Sequence, residues 1–295
     1  MAIEVREGRT YGTVGALADA YIKSKQGNRS AKEVERRLGK DVLPIIGHIP
    51  LRELHRRDVT RVLDAKSSAP IAARRAFEDI RAMVRWAVGR GDLDHNPIDG
   101  MKGPPTSKPR QRVLSNDEIR LLWSRLPELG SVGRAIRFCL VTGQRIGEVT
   151  GMTSCELDLT RRVWNIPGSR TKNGHPHSVP LSRIALEIIN EAGGEFGIGR
   201  VHVSGTIFYN QFDLERWTAH DLRRTVLTKM AELGIPPIVL GHVANHRTTT
   251  KAGITLGVYV QHAYEREKRE ALELWANRLQ GIISGGAEVV AIGRA

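Results

Sequence analysis

Apolar side chains return every three or four residues through most of this chain, the period of a helix with one buried face. Residues 1–12 lack the pattern and are expected to form a flexible N-terminus. Thr13 stands as an N-cap before Val14, Leu17, Ala18 and Tyr21, which share one helical face. Ser30 and Glu33 have capping-box spacing and predict a second helix to about Leu38, after which Leu43-Pro44-Ile45-Ile46-Gly47 turns the chain. Asp58 is expected to cap a third helix through Val62 and Leu63. The longest helix is predicted from about Pro70 to Val88, with Ile71, Phe77, Ile80, Val84 and Ala87 on one stripe, and Gly89 and Gly91 stop it. Four such helices make a small bundle over residues 13–100.

The second half mixes two periods. Ser115 and Glu118 form another capping-box pair before a helix that buries Ile119, Leu122 and Trp123, and Val132, Ile136, Cys139 and Leu140 continue the helical spacing toward Arg145. Alternation then takes over at Val163–Ile166 and His177–Val179. Asn173-Gly174 lies between them, so a β-hairpin is predicted. Residues 181–192 return to helical spacing through Ile184, Leu186 and Ile189, whereas 193–217 show no clear periodicity. Ala219–Thr225 contains no Gly or Pro and predicts a helix that Gly234 ends. A last helix from Glu265 to about Leu279 carries Leu272, Trp275, Leu279 and Ile282 on one stripe. The expected fold class is mainly α with a small β-hairpin (α+β), with a second domain over residues 115–283 and a tail at 284–295.

Charge adds a partner to this outline. In 295 residues, 45 Lys and Arg face 32 Asp and Glu, a net +13, which points to a polyanion. The densest excess is short: Lys102, Lys108, Arg110 and Arg112 occur between residues 101 and 114 without an acid, among prolines that favour an extended tether. This linker is expected to lie along a duplex backbone so that the domains on either side close around it. No apolar run is long enough to span a membrane, and Met1–Glu7 lacks the core of a signal peptide, so a cytoplasmic protein is expected. Cys139 and Cys155 fit neither a disulfide framework nor a zinc spacing and read as reduced thiols.

Candidate chemistry concentrates in three stretches. His220 and Arg223 are three apart on a helical face, and Arg145 and Glu148 repeat that spacing after a glycine able to open a helix. Two planar guanidinium groups suit the non-bridging oxygens of a phosphate. Tyrosine is a nucleophile once its proton is removed, and a departing sugar alkoxide needs a proton returned. His242 and His246, four apart, leave open a metal pair, although no third ligand of fitting spacing accompanies them. Lys172 and Arg170 sit before the hairpin turn, where a long side chain is usually solubilising.

Thr142-Gly-Gln-Arg145-Ile-Gly-Glu148, Thr171-Lys172-Asn-Gly before Val179-Pro180-Leu181, Thr218-Ala-His220-Asp-Leu-Arg223-Arg-Thr225, Leu240-Gly241-His242 and Val258-Tyr259 occur in that order. Together they resemble the tyrosine recombinases of the phage integrase family over residues 113–280, with a weaker likeness to that family's core-binding domain over about 11–100. The resemblance implies a site-specific recombinase that cleaves and rejoins DNA through a 3′-phosphotyrosyl intermediate. It implies catalytic roles for Arg145, Lys172, His220, Arg223, His242 and Tyr259, with Glu148 behind them, and needs neither ATP nor a metal cofactor. Tyr259 is preferred to Tyr264 because Val258-Tyr259-Val-Gln-His262 resembles the end of the inserted loop in island-type integrases.

Lys102, Lys108, Arg110, Arg112, Arg170 and Arg224 are the expected DNA-backbone contacts. The implied partners are double-stranded DNA, a homotetramer on two duplexes assembled from monomers or dimers, and accessory DNA-bending proteins. Part of the last helix is expected to dock on a neighbouring protomer. Island-type members commonly carry a further N-terminal arm-binding domain, so a truncated or simpler recombinase is expected. A type IB topoisomerase, a non-catalytic DNA-binding regulator of the same fold and a zinc nuclease using His242 and His246 remain alternatives.

Overall fold

The computed structural model describes residues 12–28, 30–105, 111–192, 214–246 and 264–285. The chain divides into two compact units, Met1–Pro109 and Arg110–Ala295, each with its own apolar core. Among the described residues no helix is long and apolar enough to cross a membrane.

In the first unit, α1 (Val14–Ser24), α2 (Ala31–Arg37), α3 (Leu43–Ile46), α4 (Arg56–Asp64) and α5 (Pro70–Arg90) enclose one core. Thr13 caps α1 as expected, its hydroxyl accepting from Ala16 N at 3.3 Å. Two predicted caps differ. Ser30 lies in the helical region, not the extended one a cap needs, so its hydroxyl makes no cap bond, and the Glu33 carboxylate pairs with Arg36 at 2.7 Å. Asp58 is the third residue of α4 rather than its cap: its carboxylate accepts from the backbone of His55, which takes the cap position, at 2.9 Å.

A π-helical segment, Leu38–Val42, joins α2 to α3 where sequence reading placed the end of a helix. It buries Leu38 and Val42 and turns Asp41 onto Lys66 at 2.7 Å. On α5, Phe77, Ile80, Val84 and Ala87 are buried, whereas Ile71 is 58% exposed in the first turn, outside the bundle. Gly89 stays helical and Gly91, at φ +80, ends the helix.

The second unit carries α6 (Asn116–Arg125), α7 (Gly130–Thr142), α8 (Ile146–Val149), a sheet, α9 (Arg183–Asn190), α10 (Ala219–Glu232), α11 (Pro237–Val243) and α12 (Glu265–Ser284). The Ser115–Glu118 capping box forms in both directions, at 3.2 and 2.8 Å. The hairpin strands are β2 (Val163–Ile166) and β3 (His177–Pro180), paired antiparallel with Trp164 opposite Val179. A two-residue strand, β1 (Leu157–Asp158), adds to β2; sequence patterning is too short there to show it.

α12 organises this core. Its Leu272, Trp275, Leu279 and Ile282 are buried within their own unit, and Trp275 Nε1 donates to Leu140 O at 2.8 Å. Arg120 fastens its far end through Ile282 O at 3.0 Å, and Lys268 its near end through Ser178 O at 2.7 Å. These four side chains are therefore buried in cis, against α6, α7 and β3, and residues 286–295, which follow the helix in the segment expected to dock on a neighbouring protomer, lie outside the described residues.

Candidate active site

The turn after α7 sets the first cation. Gly143 ends the helix at φ +67, its N–H donating to Cys139 O at 2.8 Å, so it closes one helix where sequence reading had it open another. Gln144 is wholly buried and donates through Nε2 to Val243 O at 2.9 Å. Arg145 then turns extended and caps α8. Glu148, 3% exposed, accepts from Arg145 N at 3.3 Å and from its guanidinium at 2.9 Å. A buried carboxylate thus fixes both the backbone and the head group of Arg145, leaving its outer edge for an anion.

The second cation comes from α10. Thr218 caps this helix in a reciprocal box with Asp221, and Thr225 accepts from Leu114 N at 2.9 Å. Arg223, 2% exposed, donates to Gly143 O at 2.9 Å and to Ala244 O. Two of its five N–H donors are used on backbone, and the side chain lines the depression that also holds His220 and His246. Burial, and then the like charge of Arg145, lower its pKa to about 10, while Glu148 opposes the shift, so the group stays cationic at neutral pH. His220 lies one turn earlier and is exposed. Partial burial and then Arg224, Arg223 and Arg145 lower its pKa, which favours the neutral imidazole.

The third wall is the C-terminus of α11, where helix carbonyls lack intrahelical donors. Side chains from three other segments take them in succession. Val243 O accepts from Gln144 and from His177 Nε2 at 3.2 Å, Ala244 O from Arg223, and Asn245 O from Asn173 at 3.0 Å. His242, just before, stacks on Tyr264 with ring centroids 4.3 Å apart and planes at 26°. His246, exposed, lines an open depression of about 370 Å³ with His220, Arg223, Arg224, Leu227, Thr228 and Ala231. Its pKa is lowered by partial burial and then by Arg223, Arg145, His220 and Lys172, so it feels the surroundings of four candidate residues. In the sequence His246 stands only as half of a metal pair with His242; the fold places it beside the cations, one residue after the left-handed Asn245, and no local pattern signals that.

Lys172 is exposed on the ten-residue connection between β2 and β3. That loop is longer than a two-residue hairpin turn and holds itself together internally. The wholly buried Thr171 reaches His175 O at 2.7 Å and Gly168 O at 3.2 Å. Gly168 is packed so closely that a β-carbon there would lie 2.4 Å from Gly174 O.

The expected DNA-backbone residues fare differently. Lys102 is exposed. Arg112 pairs with Glu118, and at 3.6 Å with Glu215; Arg224 pairs with Asp221 at 2.5 Å. Arg170 is turned inward, donating to Glu156 and to Glu148 O. Lys108, Arg110 and Tyr259 lie outside the described residues. Among the described residues, His242 and His246 find no third His, Cys, Asp or Glu positioned to complete a metal site.

Comparison with known proteins adds the following. Residues 14–104 match the model of the phage integrase central domain, and residues 112–213 that of the phage integrase family. The chain is 28% identical over 298 residues to prophage integrase IntZ of Escherichia coli K12, covering 92% of this chain and 69% of that protein. It is 27% identical over 192 residues to a putative integrase/recombinase of Haemophilus influenzae, covering 60% of this chain and 52% of that protein. The chain therefore spans between about half and two thirds of the length of these relatives. In fold it is similar to lambda integrase (75–356), solved as a dimer bound to a COC′ core site, with a TM-score of 0.65 at 18% identity over 81% of this chain and 96% of that one.

Proposed function

This chain belongs to the phage integrase family of tyrosine-type site-specific recombinases, and we propose that it cleaves and rejoins DNA through a 3′-phosphotyrosyl intermediate on Tyr259. The observation that carries the proposal is the joining of Arg145 and Arg223 at one turn. Glu148 grips the first, and the Gly143 carbonyl, two residues before it, is held by the second.

In the proposed reaction the Tyr259 oxygen attacks a DNA phosphate and the bond to the 5′ oxygen breaks. Arg145, Arg223 and His242 stabilise the charge gathering on the non-bridging oxygens, where one such donor is commonly worth about 100-fold to 1,000-fold in rate. Neutral His220 accepts the phenolic proton, and Lys172 returns one to the leaving oxygen. The phosphoester bond is kept in the protein link, so a free 5′ hydroxyl reverses the step without ATP. Four protomers on two duplexes complete strand exchange, inside the cytoplasm. Lys102, Lys108 and Arg110 serve the DNA backbone, with Arg112 and Arg224 shared between phosphate and their acidic partners.

A nicked suicide substrate tests the reading. The unaltered chain is expected to become covalently attached to DNA, and Tyr259→Phe to bind without attaching. An adduct with Tyr259→Phe and none with Tyr264→Phe would move the nucleophile to Tyr264.

A further inference from the structure

Asn173 follows Lys172 at the tip of the β2–β3 loop, and its side chain is held from two directions. Its Oδ1 accepts from His175 N at 3.2 Å, within the loop. Its Nδ2 donates to Asn245 O at 3.0 Å and to Asn245 Oδ1 at 2.9 Å, and Asn245 Nδ2 returns toward Asn173 Oδ1 at 3.4 Å. The two residues are 72 apart in sequence. Asn245 has φ +46, a left-handed conformation that asparagine tolerates better than most residues, and this turn follows Ala244, the residue that Arg223 holds. The clasp therefore joins the loop that carries the lysine to the wall that carries His242 and that Arg223 holds through Ala244 O.

We propose that Asn245, through Asn173, is a positioning residue that sets where Lys172 delivers its proton. The inference rests on the reading of Lys172 as the group that protonates the leaving 5′ oxygen. Lys172 is exposed and has a long, freely rotating stem, so its reach is defined by where its backbone is fixed. Thr171 fixes that backbone to the loop's own base, which moves with the hairpin. The Asn173–Asn245 contact fixes it to the opposite wall. As the bond from phosphorus to the 5′ oxygen breaks, the lysine ammonium loses a proton to that oxygen and becomes a neutral amine. A loop displaced by an ångström or so makes that transfer slow without touching the arginines.

The test uses Asn245→Gly, which keeps the left-handed backbone and removes the side chain, and two substrates. One is an ordinary nicked suicide duplex. In the other, sulfur replaces the scissile 5′ bridging oxygen, and the thiolate it releases departs without protonation. On the ordinary substrate Asn245→Gly is expected to cleave about tenfold more slowly, the equivalent of one lost hydrogen bond. Lys172→Ala should be slower still. On the sulfur substrate both are expected to return to the rate of the unaltered protein, whereas Arg145→Ala should stay slow. Asn245→Asp, which retains an acceptor for Asn173, is expected to cleave the ordinary substrate normally, and so distinguishes the clasp from general damage to the fold.

If Lys172→Ala recovers with sulfur and Asn245→Gly is equally slow on both substrates, or slow on neither, the positioning role is wrong and the lysine's role stands. Failure of Lys172→Ala to recover sinks the lysine's role and this inference together.

Discussion

Arg223 donates to the carbonyl oxygen of Gly143 at 2.9 Å across 80 residues of sequence, and the same guanidinium reaches Ala244 O. One side chain therefore locks the turn that presents Arg145 to the helix end that presents His242. An ammonium group is a single point of donors and cannot span both carbonyls. Arg223→Lys is accordingly expected to lose more than its charge-matched chemistry suggests. Single-turnover cleavage should fall about 100-fold to 1,000-fold, and denaturant unfolding should show a loss of about 1–3 kcal/mol from a buried carbonyl left unpaired. A lysine variant of ordinary stability would mean that the fork is dispensable for the turn.

Gly143 tests the same turn from the other side. Its φ of +67 is one that a side chain disfavours, and a β-carbon would lie 3.1 Å from Val226 Cγ1 on α10. Gly143→Ala combines left-handed strain, on the order of 1–2 kcal/mol, with pressure on the helix that carries Arg223. Expected is a lower melting temperature and slower cleavage with DNA affinity nearly unchanged. If Gly143→Ala melts normally and still cleaves slowly, strain is not the reason the turn needs glycine.

Acidity separates catalysis from stability. His220 and His246 are held below the ordinary histidine pKa by burial and the surrounding arginines, so both remain neutral at pH 7. A histidine that must accept a proton then stays active down to a pH below its ordinary value. The acid limb of kcat/KM is expected below pH 6.5, and His220→Asn should abolish that limb along with most of the rate.

His177 is a different case, because burial, and then the charge of Lys268, push its pKa to about 3. It is neutral when folded, which suits donation from Nε2 to Val243 O. Its folded pKa is depressed relative to about 6.5 when unfolded. Its contribution is therefore whole above pH 6.5 and is lost as the pH falls toward 3. Replacing it, as in His177→Gln, should flatten the decline of stability between pH 7 and 5 measured by urea unfolding.

The elements that sequence showed best are those decided locally. Ser115 and Glu118 need only each other, and the stripe of α12 announces a buried face without saying whose. Where the backbone or the edge of the bundle decides, the pattern misleads. Ser30 has the spacing of a cap but sits in the helical region while Glu33 pairs with Arg36, and Ile71 continues a stripe past the point where the bundle ends. The candidate arginine, histidine and lysine positions stand out by their order and spacing in short motifs. What holds them does not, since Gln144, His177, Asn173 and Arg223 all converge on consecutive carbonyls at the end of α11. No periodicity encodes such a convergence.

Arg170 shows why this matters for reading basic residues as DNA contacts. Its guanidinium lies against the carboxylate of Glu156, which also accepts from Trp164 Nε1 at 2.9 Å, and it reaches Glu148 O on the helix that holds Arg145. Glu156 is 6% exposed. Arg170→Ala leaves that carboxylate buried with only the indole N–H, which is expected to cost about 3–5 kcal/mol. A phosphate contact predicts something else: the dependence of log affinity on log salt should become shallower by roughly one unit per contact removed. Thermal unfolding and salt titration of DNA binding therefore give opposite signatures. The expected outcome is a large fall in melting temperature with an unchanged salt slope, because the inward pairing already occupies the cation. A shallower slope with ordinary melting would instead put Arg170 on the DNA, and would require the Glu156 pair to open when the duplex binds.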